Sequence, residues 1–168
     1  MRDVILTATF DIDQDSQLLR WSFTADGKPI SGQGVETGLL AFKLGDNLTV
    51  VVQARSEFGR LKQVDIQSCN LITMPRAFTK RENPERAGEF PEPSPFGDQY
   101  AVVDLGNGIC DASGASSAIW HAPRELTCDN LGRWELSFII TTNIIYTDGE
   151  VERRVFAFDP ECDVGTGL

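Results

Sequence analysis

Residues 133–167 read RWELSFIITTNIIYTDGEVERRVFAFDPECDVGTG, and this pattern decides the fold. Trp134, Leu136, Phe138 and Ile140 fall on alternate positions, with Glu135 and Ser137 between them. Period-two alternation rich in aromatic and β-branched side chains predicts a strand with one face in a core. The pattern thickens at Ile139, Ile140, Ile144 and Ile145, which places apolar side chains on both faces. That predicts a central strand, or one that meets a second surface such as another subunit. Asp148-Gly149 follows, and both residues tolerate the positive φ of a tight hairpin turn. Beyond it Glu150, Glu152 and Arg154 alternate with Val151, Arg153 and Val155, before Phe156-Ala157-Phe158. Asp159-Pro160 stops the run, because proline lacks the N–H that a ladder needs. Two long antiparallel strands are the expected backbone of the fold.

The rest of the chain repeats the theme in shorter pieces. Val4, Leu6, Ala8, Phe10 and Ile12 alternate with Ile5, Thr7, Thr9 and Asp11, a clear first strand. Leu18–Phe23, Leu48–Ala54 and Val64–Met74 read as further strands, the last ended by Pro75. Asp26-Gly27-Lys28-Pro29, Gly45-Asp46 and Glu57-Phe58-Gly59-Arg60 are turn chemistry between them. Tyr100–Leu105 and Ala118–Ala122 add short strands, and Gly106–Ser117 reads as a small-residue loop able to approach a ligand closely. Many short strands without a helical period predict an all-β sandwich or barrel, and an antiparallel β-sandwich is the fold expected. Between them lies a long proline-rich loop, 76–99, carrying Pro84, Pro91, Pro93 and Pro95. Phe90 and Phe96 anchor it, either onto its own domain or onto a neighbouring subunit.

The 168 residues suit one domain, and 41% hydrophobic with 24% charged residues is ordinary for a globular chain. A formal net charge of −10 opposes non-specific binding to nucleic-acid phosphates, so no nucleic-acid partner is expected. No stretch approaches the ~18 consecutive apolar residues of a membrane span. The acidic start, MRDVILTATFDID, has no apolar core ending in a small-residue cleavage site. The expectation is a cytoplasmic protein without membrane contact. Cys69, Cys110, Cys128 and Cys162 are scattered and form no CxxC, which predicts reduced, partly buried thiols; the alternative is a Cys110–Cys128 disulfide.

Chemistry is sparse. The segment from Asp11 through Asp13 and Asp15 to Ser16 resembles the opening of a calcium loop, but Ser16 and Ser22 stand where glycine and a bidentate glutamate belong. A solvated turn is the reading, with a weak irregular cation site as the alternative. Gly32, Gly34 and Gly38 are spaced GxGxxxG without strand-to-helix context, which predicts a loop and not a nucleotide site. The one histidine, His121, sits in IWHAP without a nucleophile elbow nearby. No catalytic residue, cofactor or metal is assigned.

The C-terminal stretch also carries a family likeness. The strand opened by Trp134, the hairpin ending Val155-Phe156-Ala157-Phe158-Asp159-Pro160-Glu161 and the tail Val164-Gly165-Thr166-Gly167 resemble the AidA/PixA family of bacterial inclusion-body proteins. That resemblance implies a jelly-roll type of β-sandwich made in the bacterial cytoplasm. It also implies self-association and inclusion-body formation, with no enzymatic activity and no active-site residues to carry over. The leading expectation is therefore a non-catalytic homo-oligomer, with Phe138, Ile139, Ile145, Phe90 and Phe96 as candidate interface residues. A second is a small-molecule or carbohydrate-binding module that uses Trp120 and His121. The third, an enzyme, would need His121 or a carboxylate pair in a pocket that strongly shifts its pKa.

Overall fold

The expected hairpin belongs to the second of two sheets, its first strand central and its second at an edge. In this computed structural model, residues 1–30, 39–97, 99–158 and 161–165 are described, the side chains of 39–41 and 161–165 excepted. The glycine-rich loop at 31–38, the strand stop at 159–160, the end of the tail and the Cys162 side chain lie outside the described residues. Thirteen strands are present among the described residues. The first sheet holds β1 (Asp3–Asp11), β2 (Arg20–Ala25), β3 (Lys28–Pro29), β5 (Asn47–Arg55), β8 (Asp111–Ser113), β9 (Ser117–His121) and β10 (Leu126–Thr127). Its order is β3-β2-β1-β5-β9-β8, with β10 beside the start of β5. The second holds β4 (Leu39–Lys43), β6 (Leu61–Arg76), β7 (Val102–Ile109), β11 (Gly132–Tyr146), β12 (Val151–Phe158) and β13 (Glu161–Gly165). Its order is β4-β13-β11-β6-β7, and β12 also pairs with β11. No helix among the described residues is long and apolar enough to cross a membrane.

The sequence alternation becomes the two-faced packing. Along β11 every even residue from Gly132 to Tyr146 is buried and every odd one is partly exposed. β1 and β5 present Val4, Leu6, Ala8 and Phe10 beside Leu48, Val50, Val52 and Ala54. The sheets meet through aromatic pairs: Phe10 stacks on Phe156 with centroids 4.2 Å apart, and Trp21 lies 5.7 Å from Phe158. Such pairs add about 0.5–1.5 kcal/mol each beyond the area they bury.

Several details depart from the sequence expectation. Two ladders, β1 with β5 and β13 with β4, run parallel within the otherwise antiparallel sandwich. β6 does not stop at Pro75, which pairs with Trp134. The Thr73 N–H points away from β11 to the Ala101 carbonyl, so Pro75, two residues on, lacks its N–H on that same side, beyond the start of β7. In the same strand Gln67 is an extra residue opposite Thr141/Thr142. A bulge there switches the inward parity from Val64 and Ile66 to Cys69, Leu71 and Thr73. The stretch read as a loop over Gly106–Ser117 is mostly strand: it completes β7 and forms the β8–β9 hairpin through Gly114, at φ +71°.

Candidate functional site

The densest polar cluster lies at the end of the sandwich where the 11–17 segment, the 56–60 turn and the β11–β12 hairpin converge. Asp11 Oδ1 accepts from the Asp13 N–H at 2.8 Å, an Asx turn that aims the Asp13 carboxylate inward. That carboxylate accepts from Ser56 Oγ at 2.8 Å, the Phe58 N–H at 3.2 Å and Arg60 Nε at 3.0 Å. Burial opposes its ionisation, but these hydrogen bonds and the Arg60 charge outweigh it and hold the carboxyl below its ordinary range. The side chain is only 4% exposed, so the turn is not solvated at this residue. Its lone pairs are occupied by protein donors, which leaves little for a cation. Among the described residues no group of three or more His, Cys, Asp or Glu is placed to hold a metal.

Tyr146 closes β11 beside this carboxylate. Its hydroxyl donates to Glu152 Oε2 at 2.7 Å and lies 3.1 Å from the Ile12 carbonyl, while the Arg60 guanidinium sits 4.7 Å above its ring. Burial first, then the hydrogen bond and charge of Glu152, push the phenol up to about 12, so it acts as a fixed donor. Arg154 Nη1 donates to the Gln14 carbonyl at 2.7 Å and Nη2 to that of Ser16 at 3.0 Å. Its guanidinium stacks 4.7 Å from the Phe156 ring. The titratable groups here thus satisfy one another and rivet the 12–17 segment to β12. Beside them runs an open groove of about 470 Å³, lined by Gln14, Gln17, Glu152, Arg153 and Val155 among others.

The residues singled out in the sequence are dispersed. Trp120 and His121 do not form one site, because successive strand residues point to opposite faces. Trp120 is buried with its indole against Gly108, and offers no stacking platform to a ligand. His121 is exposed on the outer face of the first sheet, opposite Val51. Phe138 and Phe96 are core residues and not surface contacts: Phe138 points between the sheets, and Phe96 packs edge-on to Phe42 at 6.2 Å. Ile139 and Ile145 face outward from β11 and are half-buried, and Phe90 is 64% exposed. Cys69, Cys110 and Cys128 are buried free thiols, so the Cys110–Cys128 bridge is not formed. Burial, helped by nearby carboxylates, pushes all three up to about 12.

The proline-rich segment docks on its own domain around Pro91–Phe96. Trp134 Nε1 donates to the Glu92 carbonyl at 2.9 Å, Thr73 Oγ1 to that of Pro93 at 2.8 Å and Asn130 Nδ2 to that of Ser94 at 2.9 Å. No family model, curated protein or solved structure matches this chain. Function must therefore be argued from these residues. Sequence reading missed the network of Asp13, Arg60, Tyr146, Glu152 and Arg154. Its one advance signal was the Asp-rich turn, since Arg60 joins it across 47 residues of chain and Tyr146, Glu152 and Arg154 across more than a hundred.

Proposed function

We propose that this protein is a non-catalytic, self-associating β-sandwich of the AidA/PixA kind, a bacterial cytoplasmic protein that assembles with its own copies. The observation that supports this reading is the outer face of the second sheet. In an antiparallel sheet whose other face packs a core, outward positions are ordinarily polar. Here Ile145 of β11 stands opposite Val151 of β12 and Ile139 opposite Ala157, with Val155 opposite Thr141, the two valines 61% and 46% exposed; on the β6 side the two isoleucines meet Gln63 and Asn70. Leu18, 70% exposed, extends the row beside Ala157. Exposed apolar side chains gathered on the β11–β12 part of the face, among Thr141, Asn143 and Arg153, favour an interface there. A second copy presenting the same face is the occupant that needs no other molecule. The polar cluster at the end of the sandwich is bonded within itself, which favours a structural role for it over a catalytic one.

The test is light scattering behind size-exclusion chromatography at several concentrations, on the wild type and on an Ile139→Ser/Ile145→Ser variant. Concentration-dependent assembly in the wild type, and a variant of smaller assembled mass with nearly unchanged thermal unfolding, is the expected result. Assembly of undiminished mass in the variant would remove the face from the argument. A wild type that stays monomeric throughout would refute self-association itself.

A further inference from the structure

A sheet edge that is neither short nor covered can pair with another chain. Most edges here are managed. β3 is two residues long and ends in Pro29, and β8 has three residues. β7 is backed by Arg124, which donates to the Asp104 carbonyl, and by Pro123 and Trp120 against Gly106 and Gly108. β12 is different. One of its sides pairs with β11. On the other, only Ala157 is engaged: its N–H donates to the Gln17 carbonyl at 3.0 Å and its carbonyl accepts from the Leu19 N–H at 3.1 Å. Backbone groups alternate in direction along a strand. Val155, Arg153 and Val151 therefore turn their N–H and C=O groups to the same side as Ala157, and no backbone group among the described residues meets them there. Val155 and Arg153 face the open groove beside the 14–17 segment.

The exposed sequence is Val151-Glu152-Arg153-Arg154-Val155. Read antiparallel to itself about Arg153, it sets Val151 against the partner's Val155 and Glu152 against the partner's Arg154, twice by symmetry. β-branched pairs directly across a ladder are favourable and like charges are not, and the opposite charges add to this even though Arg154 is 13% exposed and keeps its bonds to the Gln14 and Ser16 carbonyls. Moving the axis by one residue sets Glu152 against Glu152 or Arg154 against Arg154. The chosen register leaves one like pair, Arg153 at the axis, and Arg153 Nε is drawn back over β11 by Asn143 Oδ1 at 3.1 Å. The ends fit as well. The partner strand reaches its Gly149 turn opposite Ala157, where the Gln17–Leu19 segment already occupies the edge.

We propose that two copies join edge to edge through Val151–Val155 of β12, antiparallel about a two-fold axis at Arg153, making one continuous sheet. This rests on the self-association reading, but it uses the edge of the second sheet and not its face. The pair exchanges both backbone bonds at Arg153 and at each Val151–Val155 contact.

Cysteine cross-linking under mild oxidation, in a Cys162→Ser background, tests the register. Cα atoms of a hydrogen-bonded antiparallel pair lie about 5.5 Å apart, within disulfide reach. Arg153→Cys should give a covalent dimer. Val151→Cys alone should not, since it stands four residues from its own copy, about 14 Å at ~3.4 Å per residue. Val151→Cys/Val155→Cys should cross-link again. Arg153→Pro removes an outward N–H, a placement proline tolerates on an edge, and the exposed hydrogen bond to Asn143, so it should keep its fold and lose the edge contact, lowering the mass in light scattering. If Arg153→Pro fails to fold, the cysteine set alone decides. Absent cross-linking of Arg153→Cys, or equal cross-linking of Val151→Cys, in a wild type that assembles would overturn the edge and leave self-association standing. A wild type monomeric at every concentration overturns both.

Discussion

Asp46 carries the most exacting prediction. Its side chain is fully buried in the turn between β4 and β5, where it gathers the N-terminal segment. Oδ1 accepts the Arg2 N–H at 2.9 Å; Oδ2 accepts Arg2 Nε at 3.0 Å, Arg2 Nη2 at 2.6 Å and the Lys43 N–H at 2.9 Å. Burial opposes ionisation, yet these Arg2 and Lys43 contacts outweigh it and lower the carboxyl from its ordinary 3.8. Asp46→Asn keeps the shape, but at least one of its amide hydrogens must face a donor, and the charge is lost. Breaking a buried pair costs about 3–5 kcal/mol. Arg2 is 29% exposed and can turn towards water, so the lower end, about 3 kcal/mol, applies. For a chain of this size that is roughly 6–12 °C in Tm. A folded value below the unfolded one means that the contribution is complete above the ordinary carboxylate range and disappears as pH falls through the folded value. Urea unfolding followed by tryptophan fluorescence, at fixed protein concentration, should show the full difference at pH 7 and a shrinking one below about pH 4. A difference under about 1 kcal/mol at pH 7, or one that persists undiminished at pH 2, would refute the reasoning.

Other expectations follow from packing. Gly132 sits at φ +150°, and a Cβ there would lie 2.6 Å from Pro91 Cβ and 2.9 Å from Trp134 Cη2. Gly132→Ala should cost about 2–4 kcal/mol from backbone strain and overpacking, and should speed trypsin cleavage in the 76–86 stretch as the docked segment loosens; unchanged stability and cleavage would count against the docking. Thiol labelling at pH 8 should modify no more than one of the four cysteines in the native protein, because Cys69, Cys110 and Cys128 are buried with thiols near 12. Mass spectrometry before and after unfolding in urea reads this directly, and two or more native labels would contradict the burial.

The layers of the fold were legible because they depend on local alternation. From Trp134 to Ile140 and from Val4 to Phe10, a side chain's face follows from counting by two, and burial follows that count. Counting failed where the backbone breaks step. The extra residue at Gln67 changes which side chains of β6 face inward, and no composition signal marks it. Phe138 and Ile139 show the same limit at a finer scale: both are large, apolar and adjacent, and only the parity fixed by the partner sheet sends one to the core and the other outward. Trp120 and His121 were grouped by proximity in sequence, which in a strand separates them. The polar cluster was illegible for another reason. Arg154 finds the carbonyls of Gln14 and Ser16, and Tyr146 finds the Ile12 carbonyl, only once the two sheets have closed.

That cluster bears on assembly through geometry. Arg154 fixes the 12–17 segment by its carbonyls, and the chain then runs along β12 at Gln17–Leu19 before entering β2. Where this segment meets Ala157, the open edge ends; where the Tyr146 N–H donates to the Glu150 carbonyl, the hairpin turns and the edge begins. The same Tyr146 holds Glu152 by its hydroxyl, on the strand whose charges would meet the partner's. A group of mutually satisfied polar residues thus sets both the length and the charge order of the pairing edge. Loosening it by Tyr146→Phe should weaken assembly without touching an edge residue, whereas a purely face-to-face contact through Ile139 and Ile145 should not respond. Sedimentation of Tyr146→Phe against the wild type, at matched concentrations, separates these two geometries. An unchanged association constant would detach the cluster from the edge.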